Sequence, residues 1–336
     1  MFSGRKCPEE GRSLHNESLP GRGEEPMRVG GQAVIEGVMM RSPHSMAVAV
    51  RKPNGEIAVK RERLTFFSDN HSFAKLPLIR GVMTLLSALV LGIRALNFSA
   101  NQALSESEEE KDPSPWTMSL TFAVALCFGI FLFFLMPLFL TKWLRFWIPL
   151  LSESGILFNL VDGVIRLAIF LSYLWAISFF KEIQRVFQYH GAEHKSIFAF
   201  ESGVDLVIDR VKDFGCLHPR CGTSFLLIVM VVSILIFALI PHQLPFGYKV
   251  ASRVIFIPLI AGLSYEIIRF TDKRRERPGF RYLIQPGLWL QRLTAQEPSG
   301  DQIEVAIRAL QEVLELEGRQ PASVPQTPSC SPGVGR

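Results

Sequence analysis

The chain has 336 residues, 48% hydrophobic and 20% charged, with 26 phenylalanines and a net charge of +5 from 36 basic and 31 acidic side chains. So mild an excess, much of it beside apolar runs, suits membrane orientation better than nucleic acid, and no nucleic-acid partner is expected. Of the five cysteines only Cys216 and Cys221 are neighbours, which excludes a secreted disulfide scaffold.

Residues 1–27 are rich in Gly, Pro and charge, and no apolar stretch follows their basic residues. They read as a disordered extension and not as a signal peptide. Residues 28–65 read as a small β unit. "SMAVAVRK" and "EIAVKRE" flank Asn54-Gly55, a good hairpin turn, and "GGQAVIEGVMMR" supplies a strand beside them. One short sheet cannot bury both faces alone, so the helices that follow are expected to cover it.

Residues 66–112 contain a helical pattern over 77–104 and then a polar linker. The uncharged stretch between Arg80 and Arg94 is 13 residues, short for a span. It predicts an interfacial helix, with a membrane crossing as the alternative. Residues 113–270 read as a four-helix membrane domain with spans near 117–140, 156–180, 223–241 and 250–268. The first holds no charge at all, and a soluble helix that apolar would have no face for water. Basic residues crowd the loop 181–222 and the segment after residue 268, whereas 141–155 and 242–249 hold only Lys142, Arg145 and Lys249. The 181–222 loop and both termini are therefore expected on the cytosolic side. Residues 271–317 form an amphipathic cytosolic segment with a helix over 301–316 capped by Asp301, and 318–336 a disordered tail. The fold class is mainly α: a polytopic helical membrane protein, about four spans plus an interfacial helix, with a small N-terminal β unit.

The chemistry lies in "YHGAEHKS". At 100° per residue His190, Glu193 and His194 fall at about 0°, 300° and 40°, on one helix face. His-x-x-Glu-His is the reversed zincin pattern, in which the imidazoles bind the metal and the glutamate takes a proton from its water. A further ligand must come from elsewhere. Cys216, His218 and Cys221 precede the third span, and Glu266 lies near the end of the fourth, so all emerge at the same predicted face. The mixture of nitrogen and sulfur favours Zn²⁺, with another divalent metal open. Blander readings stand beside this one: Cys216 and Cys221 as buried thiols, Glu266 paired with Arg269, and Glu36 satisfied inside the β unit instead of reaching the site. Asp162 and Arg166, at i and i+4 in the second span, form either a structural ion pair or a transport path.

Five segments carry a family resemblance: "GGQAVIEGVMMR", "YHGAEHKSIFAFE", "HPRCGTSF", "SYE" and "PGLWLQRLT". Together they resemble the YqhQ-type family of bacterial membrane proteins, described as predicted metal-dependent enzymes, over roughly 28–315. The resemblance implies a multi-pass protein of the bacterial inner (plasma) membrane. With the motif, it leads to a hydrolase at the cytosolic face, acting on an unknown peptide or lipid-linked substrate, with Glu193 as catalytic base. A structural zinc site in a non-enzymatic scaffold and a transporter built on Asp162–Arg166 are the alternatives.

Overall fold

The computed structural model describes residues 27–64, 76–104, 115–241, 244–272, 274 and 278–318. The predicted N-terminal extension, most of the polar linker and nearly all of the C-terminal tail lie outside the described residues.

Four antiparallel strands form one meander: β1 (Gly30–Val34), β2 (Gly37–Arg41), β3 (Ser45–Arg51) and β4 (Ile57–Arg63). Asn54-Gly55 turns the β3–β4 hairpin as expected, with Gly55 at φ 87° and Arg51 opposite Ile57. The β1–β2 turn is tighter: Val34 pairs with Gly37, leaving Ile35 and Glu36 as the corner, with Glu36 at φ 53°.

Alternate residues of β2 and β3 enter two different cores. Val38, Met40, Ala47 and Ala49 pack against α6 (Lys181–Glu201) and α12 (Gly300–Leu316). Met39, Met46, Val48 and Val50 pack against Leu91 and Ala95 of α1 (Ile79–Leu104). Period-two alternation thus buries both faces of the sheet, which explains why β3 is apolar almost throughout. Helix α12 starts at a Ser299 capping box whose Gln302 side chain accepts the Ser299 N–H at 2.9 Å. The cap is therefore Ser299, and Asp301 sits in the first turn, where its charge suits the helix dipole.

The remaining helices are α2 (Pro115–Ile130), a π turn (Phe131–Leu135), α3 (Met136–Leu144), the short α4 (Leu150–Glu153), α5 (Gly155–Ile177), α7 (Ile208–Val211), α8 (Gly222–Ala238), α9 (Phe246–Ile255), α10 (Ile257–Asp272) and α11 (Pro278–Thr294). Among the described residues three helices are long and apolar enough to cross a membrane: Ile79–Ala103, Ala123–Leu144 and Gly155–Ile177. Two of them match predicted spans; the first is the segment read as interfacial. Arg94, which seemed to end its apolar run, is tied to Glu62 of β4 at 3.1 Å. The predicted third span is an apolar helix of 17 residues. The predicted fourth is not continuous: it breaks between α9 and α10 at Phe256. Pro258 explains the break, since it has no N–H to donate and its ring clashes with the preceding turn.

Candidate metal centre

Helix α6 is held by the sheet on one side and by the connection between α11 and α12 on another. Gly191 permits the second contact. A Cβ there would stand 2.0 Å from the Gln296 carbonyl oxygen. The Gln296 N–H in turn donates to the Phe187 carbonyl of α6 at 2.9 Å. The Thr294 carbonyl thereby reaches His190 Nδ1, 2.8 Å away. Gly191→Ala is therefore expected to destabilise the protein by about 1–3 kcal/mol through overpacking. Zinc binding at His190, proposed below, should weaken roughly tenfold in the same variant, because the partner that orients the ring is loosened. A thermal melt and a competitive zinc titration read the two effects.

The second imidazole is locked in the same way. His194 Nδ1 bonds the Cys216 carbonyl. A carbonyl only accepts, so both rings carry their proton on Nδ1 and turn a bare Nε2 toward one point. Cys221 Sγ stands at that point, 3.0 Å from His190 Nε2. His194 Nε2, fully enclosed, has no hydrogen-bond partner. One ligand atom from each of His190, His194 and Cys221 lies within 4.8 Å of the others. Burial lowers the His194 pKa, which keeps the ring neutral and able to donate its lone pair. Burial alone would push the Cys221 thiol up, but the neighbouring His194 ring and the hydroxyl and N–H of Thr223 outweigh it and the net shift is downward. Cys221 is also the N-cap of α8, where the helix end favours a thiolate.

Glu193 is not one of the three grouped residues, but it is near enough to His190 and Cys221 to feel their charges. Its carboxylate is enclosed, and burial pushes its pKa up to about 8, against the nearby His190 and the Gly31 N–H that favour the ionised form. Oε2 has no hydrogen-bond partner. Strand β1 presses on it closely: a Cβ at Gly31 would stand 2.8 Å from Glu193 Cδ.

The bare Nε2 of His194, the oriented Nε2 of His190 and a thiol of lowered pKa make a neutral-nitrogen and sulfur donor set that fits Zn²⁺. The two locking carbonyls are the outer partners such ligands ordinarily have.

The other predicted ligands are not in this three-residue group. Cys216 Sγ is 3.3 Å from Glu297 Oε2, and it is the carbonyl of this residue that holds His194. His218 Nδ1 accepts the Arg220 N–H at 3.3 Å, and its ring centroid is 5.6 Å from that of His194. Glu266 is held by Arg80 of α1, 2.7 and 2.8 Å from its two oxygens, and not by Arg269. Glu36 pairs with Arg185 of α6 and is not in the three-residue group.

Three contributors escaped the sequence reading. Gln291 is fully buried and bridges the His218 N–H (2.8 Å), the His218 carbonyl (2.9 Å) and Ser224 Oγ (2.9 Å), which pins the loop before Cys221. Lys195 is buried against Glu297 at 2.7 Å and the Lys212 carbonyl at 2.7 Å. Thr294 acts through a carbonyl, which carries no residue signature. A buried lysine on the motif helix was the one signal open to sequence reasoning.

The family model described as "Protein of unknown function (DUF1385)" matches residues 76–316, a range that holds every ligand of this cluster. A protein of Bacillus subtilis (strain 168) described as "Uncharacterized protein YqhQ" is 36% identical over 303 residues, covering 87% of this chain and 94% of that one. No solved structure matches. From the motif helix through the Cys221 loop to the amphipathic α12, the matched range takes in most of the chain, which belongs to the DUF1385 family.

Proposed function

We propose that this protein is a metal-dependent hydrolase of the bacterial inner (plasma) membrane, multi-pass with both termini cytosolic, and that its zinc site works at the cytosolic face. The observation that carries the reading is the convergence of two tautomer-locked imidazoles on the Cys221 sulfur, with the Glu193 carboxylate enclosed beside them.

Three donors leave a fourth zinc position for water or substrate, the arrangement of catalytic and not structural sites. A zinc ion held there would supply Lewis acidity, lowering the pKa of water and polarising a carbonyl. Glu193 then accepts the proton of the attacking water through Oε2 and returns it to the leaving group. Thr294 and Cys216 hold the imidazoles in the tautomer this requires, and burial of His194 and Cys221 keeps bulk water out.

Exposed aromatic residues support the membrane setting. Trp143, Phe146 and Trp147 stand at one end of the long apolar helices, and Trp175, Phe179 and Phe180 at the end of α5. Aromatic belts of this kind mark the water interface. Helix α6 begins at Lys181, directly past the second group, so the site hangs close to that membrane face. A peptide or lipid-linked substrate at the bilayer surface fits this position.

Glu193→Gln tests the assignment. It is expected to keep about one zinc per chain while turnover of membrane-derived lipids or peptides, followed by mass spectrometry, falls roughly 10²–10⁴-fold. Loss of the metal in this variant would make Glu193 a fourth ligand and the site a closed structural one.

A further inference from the structure

The helix bundle holds a second polar cluster, independent of the metal centre. Asp162 and Arg166 lie on α5 and Arg253 on α9, and all three are buried. Both guanidiniums use the same carboxylate oxygen: Arg166 Nη2 is 2.9 Å and Arg253 Nη2 2.7 Å from Asp162 Oδ2. Asp162 Oδ1 has no hydrogen-bond partner, and neither has Arg166 Nε. An arginine–aspartate pair ordinarily closes as a fork on both oxygens. Here the second half of the fork is unmade: one donor and one acceptor, both buried, are left without partners.

The charges do not balance either. Among the described residues of this bundle, two buried guanidiniums meet one buried carboxylate, which leaves an excess of one positive charge. The Phe237 ring lies 5.2 Å from Arg166 Cζ and 5.6 Å from Arg253 Cζ, and the Phe134 carbonyl accepts from Arg253 Nη1 at 3.0 Å. These contacts spread the charge without cancelling it. The backbone is irregular at the same place: Phe134 lies in the π turn, and α9 ends three residues after Arg253's neighbour Ser252. Broken helices and π turns gather where a bundle shapes a binding site.

We propose that Asp162, Arg166 and Arg253 form a binding site for a small monovalent oxyanion that also carries a hydroxyl, the class of bicarbonate and dihydrogen phosphate. One negative charge answers the excess. An oxygen of the anion accepts from Arg166 Nε, and its hydroxyl donates to Asp162 Oδ1. Water would satisfy both bare atoms but not the charge; chloride would answer the charge but offers nothing to Oδ1.

The test is the melting midpoint of the full chain in nanodiscs, with sodium bicarbonate near neutral pH, sodium phosphate on the acid side of its second pKa, or sodium chloride at equal ionic strength. At saturation one of the two oxyanions is expected to raise the midpoint by about 5 °C, and which one does so names the ligand, while chloride does not. Arg253→Gln should erase the shift, and the His190→Ala/His194→Ala double variant should keep it. Asp162→Asn, with a second excess charge and an amide donor in place of Oδ1, should gain a chloride response. No shift with either oxyanion, or an equal shift with chloride in the unaltered protein, overturns the proposal. So does a shift that survives Arg253→Gln and vanishes in the double histidine variant, because the anion would then sit on the metal.

Discussion

Replacing His190 and His194 together by alanine is expected to take the purified protein from about one zinc per chain to less than about a tenth. Two of three donors disappear, and a lone buried thiolate does not hold zinc against the solvent. Mass spectrometry of the metal, with an absorption edge to name the element, reads the result. Stability should fall as well. The cluster joins α6 to the loop ahead of α8, and through Thr294 to the end of α11. A ligand that binds only the folded chain stabilises it by mass action. Zinc sites of zinc-finger peptides contribute about 10–16 kcal/mol, an upper bound for a site whose imidazoles are already positioned. A chelator should therefore lower the melting midpoint of the unaltered protein and leave that of the double variant where it is. Full zinc occupancy in the double variant would remove the metal centre, and the hydrolase reading with it.

What could be read in advance follows the range of each interaction. The Asn54-Gly55 hairpin and the shared face of His190, Glu193 and His194 rest on neighbours in sequence, and periodicity exposes both. The partners that lock the imidazoles do not. Thr294 is 104 residues from His190, and its carbonyl would be the same on any side chain. Gly191 explains itself only once Gln296 is seen against it. Glu266 shows the opposite error: nearness to the predicted face suggested a ligand, whereas Arg80, 186 residues away, had already taken the carboxylate. The helix of residues 79–104 was read as too short to span because an arginine inside an apolar run reads as its end, yet by length and composition it is long enough to cross. Pairing of Arg94 with a strand neighbour removes that penalty.

Removing the Asp162 carboxylate is expected to be among the most damaging single changes outside the metal centre. Asp162→Ala leaves Arg166 and Arg253 buried without their shared acceptor. Stripping one partner from a buried ionic group costs about 3–5 kcal/mol, which for a chain of this size lowers the melting midpoint by roughly 10 °C. The cost lies in the stranded charges and not in the lost contact, and a second variant separates the two. Replacing Asp162, Arg166 and Arg253 together by leucine deletes every charge and fills the space with apolar groups. That variant is expected to regain most of the lost stability, since buried ion clusters are often no better than hydrophobic packing of similar volume. If the triple leucine protein is instead as unstable as Asp162→Ala, the cluster is structural and the bundle depends on its geometry. If it is stable, the fold has no need of three buried charges, and their presence at the π turn and the broken helix belongs to what the bundle binds.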